Sequence, residues 1–283
     1  MSNSDNVWGD PVAVTAYSHA IKTYDYYANL GWKGYDGKNS SMKIVVHYQK
    51  ETSSGTWVDV ANAYSSGSVL EFGDGNGTDT RSYASDIDTV AHEFAHSVTR
   101  VKLSGLRYSN MSGAINEGYS DIFGELIDYK QDWLHGVDNR ISGSVSRDLI
   151  DPIKSSKPKM TFGSYYKIIC PDDNHSTHSG CSDSGYLHTN CTIISHAAYL
   201  MNQKGLTIDE LASLWYKSYD YYYGKVSPDF YDCRDAVLEA ADKLGFSNDK
   251  KKAIMEAFDE VNISRNDITI TVLDATNNTV IAG

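Results

Sequence analysis

Asp86-Ile87-Asp88-Thr89-Val90-Ala91-His92-Glu93-Phe94-Ala95-His96-Ser97-Val98 sets Ile87, Val90, Phe94 and Val98 near a helical period. A helix is therefore predicted from Asp86 to Leu103. On it His92 and His96 stand at i and i+4, one turn apart on one face. Two imidazoles so placed can hold one Zn2+ at about 2.0–2.1 Å. Glu93 lies about 100° around the helix from His92. It is poorly placed as a third ligand and well placed to reach a water on the metal as a general base. The pattern HExxH alone also fits an amphipathic helix with two surface histidines.

Downstream, a second helix is predicted from about Gly113 to Lys130, with Ile115, Tyr119, Ile122, Phe123, Leu126 and Ile127 on its apolar face. It carries Gly113-Ala114-Ile115-Asn116-Glu117-Gly118-Tyr119-Ser120-Asp121. Glu117 and Asp121 again share a face. A catalytic zinc needs a third protein ligand and an open position. One carboxylate can bind the metal while the other orients a ligating histidine.

Upstream, Met42 to Tyr48, Trp57 to Tyr64 and Ser68 to Phe72 read as strands, largely antiparallel, and Val12 to Trp32 mixes helical and aromatic patterning. Gly73 to Gly77 reads as a hairpin turn; it lacks the Lys-Ser/Thr end of a phosphate loop. Ser142 to Tyr186 is loop-rich. Helices follow at Thr189–Gln203, Thr207–Tyr216, Pro228–Lys243 and Asp249–Val261. Residues 266–281 alternate like strands around Asn277-Asn278. The fold class is α+β, with lobes at 1–105 (β-rich, including the HExxH helix) and 106–263 (helical). Residues 264–283 read as a linker or the start of a truncated further domain. A terminal strand docked on the main body is the plainer reading of that segment.

The 283 residues carry a formal net charge of −12. Counterion release at nucleic acid needs clustered Lys and Arg, and the nearest cluster, Lys250 to Lys252, is a short solvated run. The balance also disfavours anionic membrane surfaces and suits carboxylate-rich Ca2+ sites. No apolar run reaches the roughly 18 residues of a membrane span, so no membrane insertion is expected. Cys170, Cys181, Cys191 and Cys233 form no CxxC pattern. Two readings stand: four buried thiols, or the pairs Cys170–Cys181 and Cys191–Cys233, one of three possible connectivities.

HExxH followed by GAINExxSD resembles the thermolysin-like (HExxH–NExxSD) zinc metallopeptidases, over nearly the whole chain from Tyr24-Asp25-Tyr26-Tyr27 to about Val261. The resemblance implies a two-lobed zincin with the HExxH helix along the cleft floor, acting as a secreted, monomeric endopeptidase on polypeptides. It implies Zn2+ on His92, His96 and Glu117, Asp121 behind His92, and Glu93 as the base that activates water. Asn62, Ala63 and Tyr64 correspond to a substrate-holding edge strand. Tyr108 corresponds to a tyrosine assisting at the oxyanion, and Arg147 to the arginine that holds a substrate carbonyl and shapes the primed-side pocket. In Asp183-Ser184-Gly185-Tyr186-Leu187-His188, His188 would donate to the tetrahedral intermediate and Asp183 would fix its tautomer.

The chain also departs from that pattern. Asp88, Asp128 and Asp132 match positions for one Ca2+, but Leu134 and Val137 stand where acidic ligands are common, so a double site is not expected. Thr89 and Ser146 replace apolar pocket lining, which weakens selection for large apolar residues. His175 and His178 fit a solvated loop better than a second metal. The competing readings are a zinc aminopeptidase, for which no glycine-rich exopeptidase motif is found, and a non-catalytic zinc-binding adhesion or interaction module. Retention of both Glu93 and His188 argues against the latter. The resemblance, the acidity and the possible disulfides together lead to an expected extracellular protein, its leader and pro-segment not included in this chain.

Overall fold

The computed structural model describes residues 9–155 and 182–265, together with strand residues 272–273 and 280–282. Helix α1 (Pro11–Asn29) starts where the Asp10 carboxylate accepts from Val12 N at 2.9 Å, with Pro11 in the first turn. It buries Ala16, Ala20, Thr23 and Tyr27, a helical stripe. Tyr27 stacks on Phe94 at 5.5 Å and meets Phe123 at 5.0 Å, so α1 braces the two helices that follow.

Five short strands come next: β1 (Lys43–Val45), β2 (Gln49–Glu51), β3 (Trp57–Asp59), β4 (Ala63–Ser65) and β5 (Val69–Phe72). The order β1-β5-β4 makes one sheet and β2-β3 a separate hairpin. Three expectations are corrected here. The run Trp57 to Tyr64 is two strands, because β3 pairs with β2 while β4 turns to pair with β5. The first 80 residues are not largely β, since 19 of them belong to α1, and one of the three strand pairings, β1 with β5, is parallel while the other two are antiparallel. Gly73 to Gly77 does not close a hairpin. Asn76 Oδ1 accepts from the backbone of Thr78, Asp79 and Thr80 at 2.8–3.0 Å, and Thr80 bridges to Arg140 instead.

That loop is pinned by a close approach. Gly73 N donates to Asn62 O at 3.0 Å, and a Cβ on Gly73 would lie 1.8 Å from Val60 O. Gly73→Ala is expected to lower the free energy of unfolding in urea by about 3 kcal/mol, the cost of overpacking against backbone that has nowhere to move. A change below about 0.5 kcal/mol, the range of ordinary surface substitutions, would contradict the packing described.

Helices α2 (Ile87–Lys102) and α3 (Asn110–Ile127) form the centre of the molecule. They agree with the predicted helices to within a few residues at each end. Strands β6 (Leu134–His135) and β7 (Arg147–Asp148) pair beside them. Order therefore extends into the stretch read as loop, because two paired residues carry no periodic signal. Helix α4 (Asp183–Gln203) packs along α3 and begins earlier than expected. Its opening residues Asp183, Ser184, Gly185 and Tyr186 all have positive φ, so the helix proper follows a left-handed turn.

Helices α5 (Ile208–Ser218), α6 (Phe230–Lys243) and α7 (Asn248–Glu260) complete the helical part. Reciprocal capping boxes, Thr207 with Glu210 and Asp229 with Asp232, start α5 and α6. Their core is aromatic: Tyr119 lies edge-on to Trp215 at 5.1 Å and contacts Tyr219 at 4.8 Å. Of the two cysteine readings, buried thiols hold for Cys191 and Cys233, which are not joined by a disulfide. Cys191 Sγ lies 3.3 Å from His188 O and 3.6 Å from Asp121, while burial pushes the Cys233 thiol up to about 12. Cys170, Cys181, His175 and His178 lie outside the described residues. Strands β8 (Val272–Leu273) and β9 (Val280–Ala282) pair antiparallel. The architecture is α+β, a small β-containing N-terminal region followed by a mainly helical one.

Candidate active site

The HExxH turn of α2 faces the NExxSD turn of α3 across a cleft of about 690 Å3. His92 Nε2 and His96 Nε2 are 3.0 Å apart. Glu117 meets both, with Oε2 at 3.3 Å from His92 Nε2 and Oε1 at 3.2 Å from His96 Nε2. Tetrahedral ligands 2.0–2.1 Å from one zinc lie about 3.3–3.4 Å from each other. The observed separations are close to that spacing, with the Glu117 carboxylate straddling the two imidazoles, one oxygen toward each. Glu117 is fully buried and its Oε2 has no hydrogen-bond donor at bonding geometry. A carboxylate and two facing imidazole nitrogens, packed this tightly at the floor of the cleft, fit a zinc ion well.

The groups behind these ligands fix their orientation. Asp121 Oδ1 lies 3.0 Å from His92 Nδ1, which turns Nε2 toward Glu117. His96 Nδ1 contacts Asn116 Oδ1 at 2.7 Å and Ser120 Oγ at 3.1 Å. Both partners belong to the motif, Asn116 one residue before Glu117 and Ser120 three residues after it, and the fold gives them a role by bringing His96 between them. In the metal-free protein, burial opposes a charge on His92, yet hydrogen bonds to Asp121 and Glu117 outweigh it and push its pKa up to about 9. Burial would likewise raise Glu117, but His96, His188 and His92 hold it well below the usual carboxylate range.

Glu93 is buried in the cleft wall, and burial raises its pKa despite His96 and His92. Asn62, Ala63 and Tyr64 line the same cleft. Strand β4 pairs with β5 on one side only, so its other edge faces the opening. On the far wall, Tyr108 donates to Glu117 Oε1 and its hydroxyl lies 3.5 Å from His188 Nε2. Asp183 Oδ1 lies 2.6 Å from His188 Nδ1, and its Oδ2 accepts from His188 N at 3.0 Å. This bracket is what the left-handed turn achieves: it folds Asp183 back over the first turn of α4. Three non-glycine residues in that conformation are costly, and such outliers gather at functional sites.

Arg147 lines the cleft, but it is committed more deeply than the sequence reading supposed. Its Nε donates to both Asp121 oxygens at 2.8 and 3.0 Å, and its Nη2 also binds Asp121. Thr89 and Ser146 reach the cleft as expected. His135, unnoticed in the sequence, joins them there. The anticipated cation ligands do not converge: among the described residues Asp88 groups with Glu125 and His135, not with Asp128 and Asp132. Asp132 instead accepts from Leu134 N at 3.0 Å.

Residues 1–100 match the family model described as the thermolysin metallopeptidase catalytic domain, and residues 104–263 the one described as the thermolysin metallopeptidase alpha-helical domain. A bacillolysin from Brevibacillus brevis is 34% identical over 273 residues, covering 93% of this chain and 48% of the relative. A thermolysin from Alicyclobacillus acidocaldarius subsp. acidocaldarius is 34% identical over 272 residues, covering 90% and 46%. The chain spans about half the length of these curated relatives. Among solved structures, the precursor of protealysin, a metalloproteinase from Serratia proteamaculans, superposes with a TM-score of 0.77 at 25% identity, covering 93% of this chain and 82% of that one.

Proposed function

Because the chain belongs to the thermolysin metallopeptidase family, we propose that it is a zinc-dependent endopeptidase with His92, His96 and Glu117 as metal ligands and Glu93 as general base. What carries the reading is the triangle of 3.0, 3.2 and 3.3 Å between the three ligand side chains, with Glu93 in the same cleft. When bound there, zinc supplies a Lewis acid that polarises the scissile carbonyl and acidifies water.

The chain's own residues do the rest. A peptide lies along the open edge of β4, where Asn62 and Ala63 can bond its backbone. Glu93 takes the proton of the attacking water and delivers it to the leaving amine. Its burial-raised pKa favours accepting that proton. Tyr108 and His188 donate to the carbonyl oxygen as negative charge gathers on it. Burial disfavours a charged His188, but Glu117 and Asp183 outweigh it and raise its pKa, which keeps a proton available for donation. Arg147 holds Asp121, and through it His92, while shaping the primed side together with Thr89, His135 and Ser146. That polar lining favours smaller or polar residues after the scissile bond.

His188→Ala is expected to lower kcat for an internally quenched peptide about 10²-fold, the scale of one lost oxyanion donor, with KM nearly unchanged. An unaltered kcat would remove His188 from the mechanism. A zinc chelator should abolish cleavage; undiminished activity in the metal-stripped protein would refute metal dependence. We place the protein outside the cell as a monomer, a reading supported by the family resemblance and the acidic balance, and tested by immunoblotting medium against cells. Ca2+ on Asp88, Asp128 and Asp132 is what the family resemblance implies, with Asp88 in the first turn of α2 and Asp128 at the end of α3.

A further inference from the structure

Behind the catalytic triangle, on the other side of His92, lies a second buried set of ligating side chains. Asp88 comes from the first turn of α2, Glu125 from the last turn of α3 and His135 from β6. Each is at most 4% exposed. One ligand atom from each falls within 4.8 Å of the others, and His135 Nδ1 lies 3.8 Å from Asp88 Oδ2. Both Glu125 oxygens and His135 Nδ1 have no hydrogen-bond partner. Buried carboxylate oxygens without a partner are rare and costly.

The backbone is arranged to bring these groups together. Gly124 passes so near α2 that a Cβ there would lie 2.9 Å from Asp88 O and 3.5 Å from His135 Nδ1. Gly136 N donates to Asp88 Oδ2 at 2.9 Å, which orients that carboxylate. The neighbouring cations are engaged elsewhere: Lys130 binds Asp138 at 2.5 Å and Arg147 binds Asp121. Without a positive charge, burial and the surrounding carboxylates push Asp88 and Glu125 well up. Protonation does not resolve the arrangement, since a protonated Glu125 would need an acceptor for its O–H and has none.

We infer that Asp88, Glu125 and His135 form a second, buried metal centre that takes a divalent transition-metal ion such as Zn2+ or Mn2+, not Ca2+. Two carboxylates and an imidazole make a mixed N/O donor set, which suits first-row transition metals, whereas Ca2+ takes six to eight oxygens. Metal–ligand bonds of about 2.0–2.2 Å require the three atoms to close in from 4.8 Å, and the unbonded Glu125 carboxylate can make that move. His135 would meet the ion through Nδ1, while its Nε2 lies 3.9 Å from Asp121. The centre would thus tie α2, α3 and β6 together directly behind the zinc ligands.

The test is a count of bound metal by elemental analysis on protein stripped with chelator and reloaded with Zn2+, or separately with Ca2+, then desalted. Two zinc ions per chain are expected in the wild type, one in Glu125→Gln, one in His96→Ala and none in the double variant. Ca2+ should not fill the Glu125-dependent site. One zinc in the wild type with no change in Glu125→Gln overturns the second centre. A Glu125-dependent site that takes Ca2+ and refuses Zn2+ overturns its chemical class. A wild type that holds only the Glu125-dependent ion, with His96→Ala changing nothing, would instead count against the catalytic reading. Anomalous scattering at the zinc edge from wild-type crystals needs no variant to fold: a peak among Asp88, Glu125 and His135 is expected, and its absence beside a filled catalytic site overturns the inference.

Discussion

Replacing Glu93 by Gln is expected to lower kcat/KM for an internally quenched peptide about 10³-fold, within the range for loss of a positioned general base. The change keeps the size of the side chain and removes its basicity. Glu93 sits 100° around α2 from His92 by helical geometry, so the metal ligands on the other face should be undisturbed. Zinc content and the thermal midpoint are therefore expected to match the wild type. A loss below tenfold would show that another group takes the proton. A loss accompanied by loss of zinc would mean that Glu93 holds the site together instead of performing chemistry in it.

Asp121→Asn is expected to damage both the metal site and the fold. Asp121 is fully buried, 3.0 Å from His92 Nδ1, and receives Arg147 on both oxygens. Burial alone would raise its pKa, but Arg147 and the hydrogen bond from His92 outweigh burial and hold it far below the usual carboxylate range. The amide leaves the Arg147 guanidinium charged and nearly buried. Breaking a buried pair in this way costs about 3–5 kcal/mol. Removing the group that orients a ligating histidine lowers metal affinity about 10–100-fold.

The pH dependence follows from the direction of the shift. With its folded pKa depressed, Asp121 contributes stability that is full above the ordinary aspartate value of about 3.9. That contribution is lost as pH falls from there toward the folded pKa. Urea unfolding of metal-free protein should show the gap between wild type and variant constant near neutral pH and narrowing below about pH 4. A constant gap down to pH 2 would deny the ionised pair.

The cluster of His92, His96, Glu117 and Asp121 was legible in the sequence because it is written in helical spacing. His92 and His96, then Glu117 and Asp121, are each one turn apart, and a pattern of that kind survives without tertiary information. The helices themselves were read from the same periodicity. What escaped depends on contacts between distant segments. His135 stands on a two-residue strand with no periodic signal, and Glu125 looks like any polar residue late in a helix. Only the approach of α3 to α2 at Gly124 brings them to Asp88. The split between β3 and β4 is invisible because Trp57 to Tyr64 holds no Gly or Pro to mark it, and it appears only when β3 pairs with β2 and β4 with β5. The left-handed turn at Asp183 to Tyr186 gave a single glycine as its cue, too little to predict three further residues at positive φ. Cys191 and Cys233 sit on helices as expected, yet each thiol is directed to other neighbours.

The most direct test of the central claim is to strip the purified protein of metal, restore Zn2+, and map by mass spectrometry the bonds cut in an unfolded protein substrate. Cleavage at internal peptide bonds that vanishes on stripping, returns with Zn2+ and fails to return in His96→Ala is the result expected. A protein that regains zinc at His92, His96 and Glu117 but releases only terminal residues, or cuts nothing, would contradict it.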